Sequence, residues 1–226
     1  MHIEILTEDS SGKALLEHLL PKLIGSPNDP HYWRIIAFKG IGQIPKGMHT
    51  GDPAKRSLLN KLPAILRSYA RTTGIDAVVV VLDADNRDCA ALLTELRELA
   101  ATSGAAELTL FRLAIEEIEA WYFGDREALR AAYPKARLRP LNRYRQDSVC
   151  GTWEILADVI HPGGSDAIGR ASWPLPGQIK HEWANRIGPL MNPDANQSPS
   201  FGKLRDTLRC LIARGTENPA PATQPG

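Results

Sequence analysis

Cysteine is scarce in this chain and poorly placed for its usual structural uses. Cys89, Cys150 and Cys210 are odd in number, far apart and free of C-x-x-C spacing. That pattern argues against a disulfide framework or a structural zinc site and fits a reducing, cytoplasmic setting. An excess of one charge is also missing. Lys plus Arg number 27 against 26 Asp plus Glu, and a balance of +1 recruits no polyanion by itself. No stretch approaches the roughly 20 apolar residues of a membrane span, and His2-Ile3-Glu4-Ile5-Leu6 lacks a basic n-region, so no signal peptide is expected. The motifs H-E-x-x-H and G-x-S-x-G are absent, no internal repeat is visible, and His2, His18, His31, His49, His161 and His181 show no ligand spacing.

What is present is an ordinary globular composition over 226 residues, 43% hydrophobic and 23% charged, enough for one sizeable core with a small appended lobe. Ile3 to Thr7 reads as a strand. Ser10 or Ser11 then caps a helix carrying Leu15, Leu16, Leu19, Leu20 and Leu23 at helical spacing. Tyr32 to Phe38 reads as a second strand, and Leu58 to Tyr69 as a helix. Ala77-Val78-Val79-Val80-Val81-Leu82 is a continuous β-branched run of the kind found in a strand buried on both faces of a parallel sheet. A helix from Asp88 to Leu99, a strand from Glu107 to Leu113 and a helix start over Ile115 to Tyr122 follow.

This β-α-β-α order predicts a doubly wound, mostly parallel α/β sheet over residues 1–124, with helices on both faces. Residues 125–217 are expected to form an irregular helical and loop-rich lobe on the same core. There Trp173-Pro174-Leu175-Pro176-Gly177 reads as a loop, and only Lys203 to Ala213 as a clear helix. Residues 218–226 are too poor in apolar surface to be ordered.

The chemistry concentrates where the buried run ends. Asp83-Ala84-Asp85-Asn86 leaves the carboxyl end of that strand, the edge at which open α/β sheets bind ligands. Glu8, just past the first strand, reaches the same edge if the two strands are parallel. Carboxylates a few ångströms apart repel, so a proton or a cation must compensate them. Mg²⁺ or Mn²⁺ is the expected ion, with Glu8, Asp83 and Asp85 as ligands and catalytic residues; the ion would polarise a phosphoryl oxygen and activate water. Asp88, Glu116, Glu117 and Glu119 are candidates for a second ion. The plainer alternatives are an Asx turn for the Asp pair, a helix cap for Asp88 and first-turn acids for Glu116, Glu117 and Glu119. Asp83 to Thr94 resembles an EF-hand opening but lacks the required Gly and Glu, and Ser11-Gly12-Lys13-Ala14 lacks the rest of a P-loop.

Nucleic acid would need a local cationic patch. Arg130, Lys135, Arg137, Arg139, Arg143 and Arg145 occur with no acidic residue among them, and Tyr133 and Tyr144 are interleaved. This is either a phosphate-tracking surface or a solvated helix face. Trp121, Tyr122, Trp173 and Trp183 are expected to fill the core, with a partner-binding surface as the alternative.

A Glu after strand one, an Asp-x-Asp after a valine-rich strand and an acidic segment beyond the next strand resemble the Toprim fold of topoisomerases, primases and overcoming-lysogenization-defect nucleases. Leu6-Thr7-Glu8-Asp9-Ser10, Ala37-Phe38-Lys39-Gly40, Val80-Val81-Leu82-Asp83-Ala84-Asp85, Ala114-Ile115-Glu116-Glu117-Ile118-Glu119-Ala120-Trp121 and Ser198-Pro199-Ser200-Phe201 more narrowly resemble the bacterial domain-of-unknown-function 4276 family. The resemblance implies Glu8 as metal ligand or general base, Asp83 and Asp85 as metal ligands, and Glu116 or Glu119 as support for a second ion. It further implies nuclease activity beside an ATPase encoded nearby, in a phage-defence or mobile-element system; the alternative, suggested by Asp9 and the aromatic residues, is a non-catalytic module of the same fold that binds a partner ATPase or nucleic acid. The chain departs from the family pattern at Asp9, where glycine is usual. A receiver-like phosphotransfer domain, with Asp83 as acceptor and Glu8-Asp9 as the paired acids, is a third reading.

Overall fold

The computed structural model describes residues 1–45, 56–170 and 175–217. Four strands, β1 (His2–Thr7), β2 (Tyr32–Ala37), β3 (Ala77–Asp83) and β4 (Thr109–Ala114), form one all-parallel sheet in the order β2-β1-β3-β4. The register pairs Thr7 with both Ala37 and Val81, and Asp83 with Ala114. All four strands therefore end along one edge. After β1 the chain first adds a strand on one side and then, with β3, on the other. The gap between β1 and β3 is thus the point where the winding reverses, where such sheets open a crevice.

Helices α1 (Ser10–Ile24), α2 (Leu58–Tyr69) and α3 (Cys89–Thr102) connect the strands. Strand alternation assigns the two faces. Ile3, Ile5, Val79 and Val81 join a cluster with α1, whereas Leu6, Val78, Val80 and Leu82 join a second with α2 and α3. The central valine run is accordingly buried on both faces, as its composition predicts. Pro21 lies inside α1 but faces solvent, where water can satisfy the carbonyl it leaves unpaired. α1 is capped by Asp9 rather than by Ser10 or Ser11: the Asp9 carboxylate accepts from the Gly12 amide at 2.8 Å and from the Ser11 hydroxyl at 2.9 Å.

The remainder is more helical than its proline content suggests. It comprises α4 (Ala120–Gly124), α5 (Arg126–Ala132), α6 (Leu138–Arg143), α7 (Thr152–Ile160), α8 (Gly164–Gly169), α9 (Leu175–Ile187), a 3-10 turn at Gly188–Leu190, and α10 (Pro199–Glu217). Leu175-Pro176-Gly177, read above as loop, is the first turn of α9, where proline's missing N–H costs nothing. Trp173, Pro174 and the 218–226 segment lie outside the described residues. Trp121, Tyr122 and Trp183 are at most 2% exposed and fill the core, which removes them as a partner-binding surface. The cluster containing β1 and α1 continues through Leu141, Leu156, Trp183 and Phe201. Lys22 of α1 fastens the C-terminal half further by donating to the carbonyls of Gly188, Pro189 and Met191. Among the described residues, no helix is long and apolar enough to cross a membrane.

Candidate active site

Glu8 and Asp83 meet at the crevice between β1 and β3. The Asp83 amide donates to the Glu8 carboxylate at 3.4 Å, and the Asp83 carboxylate accepts from the Ile118 amide at 2.9 Å. Burial, then repulsion from Asp9, pushes the Glu8 carboxyl up to about 7. Burial, with Glu8 and Glu119 nearby, also lifts Asp83 well above the usual carboxylate range. Two acids held in this way crowd negative charge into a space with little water to screen it.

Asp85 takes a left-handed conformation (φ 49°), which a short polar side chain tolerates. Its amide donates to the Glu116 carbonyl at 2.8 Å, and its half-exposed carboxylate lies 3.4 Å from Arg87. Asp85 therefore stands at the mouth of the crevice, still close enough to raise Glu8. Asp88 is a helix cap, accepting from the Ala91 amide at 2.8 Å.

Residues Ile115 to Glu119 form a bridge and a turn, and the helix begins only at Ala120. This corrects the expected helix start over Ile115 to Tyr122. The cause is local: Glu116 sits at φ 59° and its backbone pairs with Asp85. Its carboxylate accepts from the amides of Cys150 (3.1 Å), Gly151 (2.8 Å) and Thr152 (2.9 Å) and from the Thr152 hydroxyl. These donors at the start of α7 hold the carboxyl below its usual range and spend its lone pairs. The Glu116 carboxylate is thus engaged by the start of α7 rather than by Glu8 or Asp83.

Glu117 and Glu119 point into the site and share Lys180, whose ammonium lies 3.2 Å from each carboxylate. Glu117 also accepts from the Trp153 amide at 3.1 Å. Burial and the Glu119 charge push its carboxyl up to about 7. Lys180 is itself raised by Glu119, Glu117 and Asp83, against the opposing effect of burial. Sequence reasoning missed Lys180 because it lies in α9, which read as unpatterned, and a lone lysine carries no motif.

Four carboxylates (Glu8, Asp83, Glu117 and Glu119) thus face one ammonium. Glu119 Oε2 is buried without a hydrogen-bond partner. Among the described residues, no three His, Cys, Asp or Glu side chains converge on one point. Mg²⁺, however, commonly takes one or two carboxylates and completes its shell with water and substrate oxygens. Glu8 and Asp83 supply the one or two carboxyls that such a partly hydrated ion would need, with Asp85 at the mouth of the crevice.

The six basic residues are all exposed but do not line one common cleft. Arg139, Arg143 and Arg145 line a cleft of about 660 Å³ with Ser148 and Cys150. Lys135 lines a separate cleft of about 520 Å³ with Tyr133 and Trp183. Arg137 donates to the carbonyls of Asp158 and His161 and so caps the end of α7, and Arg130 lines neither cleft. Tyr144 is buried, stacked on Phe123 at 4.0 Å, which removes it as a base-stacking platform.

Comparison with known proteins finds no matching family model, no matching curated protein and no matching solved structure.

Proposed function

We propose that this chain is a divalent-metal-dependent nuclease of Toprim-like design, cleaving phosphodiester bonds in DNA or RNA. The observation that carries the reading is the Glu8 carboxylate against the Asp83 backbone amide, with the carboxyls of both residues raised, at the crevice where the sheet's winding reverses. Glu8, Asp83 and Asp85 would hold Mg²⁺ or Mn²⁺, which when bound polarises a phosphoryl oxygen and lowers the pKa of water. The chain's own residues do the rest. The Ile118 amide fixes the Asp83 carboxyl and Lys180 keeps Glu117 and Glu119 compact, while Glu8 would serve as metal ligand or as general base. The cationic cleft of Arg139, Arg143 and Arg145 borders this site, because the Cys150 amide in its wall holds Glu116, the backbone partner of Asp85. The family resemblance extends the proposal to a partner ATPase encoded nearby.

The test is cleavage of labelled DNA and RNA in Mg²⁺ or Mn²⁺, with and without the partner, by wild type beside Asp83→Asn and Asp85→Ala. Wild type should cut and both variants should lose cutting while remaining folded by circular dichroism. Cutting that survives Asp83→Asn would end the reading. One observation favours a second reading, a non-catalytic binding module: Lys180 already supplies a resident cation to Glu117 and Glu119. Calorimetry separates the two, since the module predicts no Mn²⁺ binding that depends on Asp83. In the receiver-like reading Asp9 would be needed as a free acid, but its carboxylate is committed to capping α1.

A further inference from the structure

A second cationic surface borders the site on the side away from Arg139. Beyond β2 the chain turns through Phe38, Lys39 and Gly40. The Phe38 amide donates to the Thr7 carbonyl at 3.0 Å and the Gly40 amide to the Glu8 carbonyl at 2.8 Å, which ties this turn to the backbone of Glu8. The Lys39 amide donates to the Arg56 carbonyl at 3.1 Å, so these two exposed cations are neighbours. With Lys61 and Phe38 they line a cleft of about 420 Å³. Farther along α2, Arg67 and Arg71 flank a hollow with Ser68 and Thr72.

Sheet order turns these separate observations into a line. The Lys39 and Arg56 cleft lies past the end of β2, the acids past β1 and β3, and the Arg139, Arg143 and Arg145 cleft is tied to Glu116 just past β4. The carboxyl edge therefore reads basic, acidic, basic. A ligand that only docked its end in the site would need cations on one side; a strand passing through needs them on both.

We propose that the substrate is a continuous nucleic-acid strand that crosses this edge from the Lys39 and Arg56 cleft to the Arg139, Arg143 and Arg145 cleft, presenting an internal phosphodiester to the acids. The proposal rests on the nuclease reading above. Three strand spacings of about 4.8 Å separate β2 from β4, roughly 14 Å in all. A helical strand advances about 3.4 Å per nucleotide, so a strand in that form needs about four nucleotides to bridge the two clefts. Mononucleotides and dinucleotides can reach only one.

Two measurements test this on the full chain. The first is fluorescence anisotropy of a fluorescein-labelled dinucleotide and of a labelled 20-mer, the latter single-stranded and duplex, with Asp83→Asn protein in Mg²⁺. The 20-mer should bind at least tenfold more tightly. Lys39→Gln with Arg56→Gln should weaken it about tenfold and reduce the slope of log affinity against log salt by about 0.7 to 0.9 per lost contact. Arg139→Gln with Arg143→Gln should do the same independently. If only the second pair weakens binding, the two-sided path is wrong while the nuclease reading stands. If no oligonucleotide binds either wild type or Asp83→Asn, both fall. The second measurement offers wild type a covalently closed circular strand and its linear counterpart. Cutting of the circle is expected, and cutting of the linear form alone overturns the internal-bond claim.

Discussion

The Lys180 ammonium, 22% exposed, lies 3.2 Å from the buried Glu119 carboxylate, whose second oxygen has no hydrogen-bond partner among the described residues. The ammonium is therefore the counterion for Glu119 and Glu117 together, and losing it leaves two buried acids uncompensated. Lys180→Met should cost about 3 to 5 kcal/mol at pH 8, the range for removing one member of a buried pair. At pH 5 the loss should shrink, because the acids can take up protons in its place. Urea denaturation at the two pH values checks this, and equal losses would show that Lys180 matters for packing and not for charge.

Glu8 gives the opposite sign. Its folded carboxyl is pushed up to about 7 from 4.5, so between those values the folded state binds more protons than the unfolded chain, and stability declines as pH rises through that window. Glu8→Gln should therefore stabilise the protein at pH 8, by on the order of 2 kcal/mol after allowance for partial exposure, and change little below pH 4.5. Thermal melts across pH 4 to 8 would expose a wrong assignment as a constant offset.

If Glu8 holds the proposed ion, the same proton competes with it. Between pH 5.5 and 7, apparent Mn²⁺ affinity measured by calorimetry should rise up to about tenfold per pH unit and then level off, as a bound proton is displaced from Glu8. Asp83→Asn should abolish the heat of binding. A pH-independent affinity would place the ion elsewhere.

Glu116 is expected to behave as a structural residue. Glu116→Ala removes the acceptor for three amides and a hydroxyl at the start of α7, and should cost about 1 to 2 kcal/mol while leaving Mn²⁺ affinity within a factor of two. Because its folded carboxyl is depressed, its contribution is present above the unfolded carboxylate range and fades as pH falls. Loss of Mn²⁺ binding in this variant would restore Glu116 as a ligand.

Much of this arrangement was legible in the residues alone. The valine run could only be a strand buried on both faces, and the Asp-x-Asp at its end had to leave the sheet at the carboxyl edge. Glu8 followed from the parallel pairing of β1. Long-range choices were not legible. The anion site that captures Glu116 is built from Cys150 to Thr152, more than 30 residues away, and Lys180 joins the acids across a still greater gap. The acidic run after β4 is helix-prone by composition, yet tertiary contacts at Asp85 and α7 unwound it. Asp9, a departure from the expected glycine, needs no glycine here: its backbone is extended at φ −148° and its side chain caps α1. The glycine requirement falls instead on Gly12, where a Cβ would lie 2.6 Å from Thr7 Oγ1.

The Lys22 clasp has a mechanical corollary. One aminium from the first crossover helix grips the carbonyls of Gly188, Pro189 and Met191, so α1 is wedged between the β-layer and the return of the chain. A fragment stopping at Gly124 would strip α9 and α10 from the face of α1 on which they pack and bare apolar surface there to water. Such a truncation should precipitate rather than fold, and the two halves can be inherited or exchanged only as a unit.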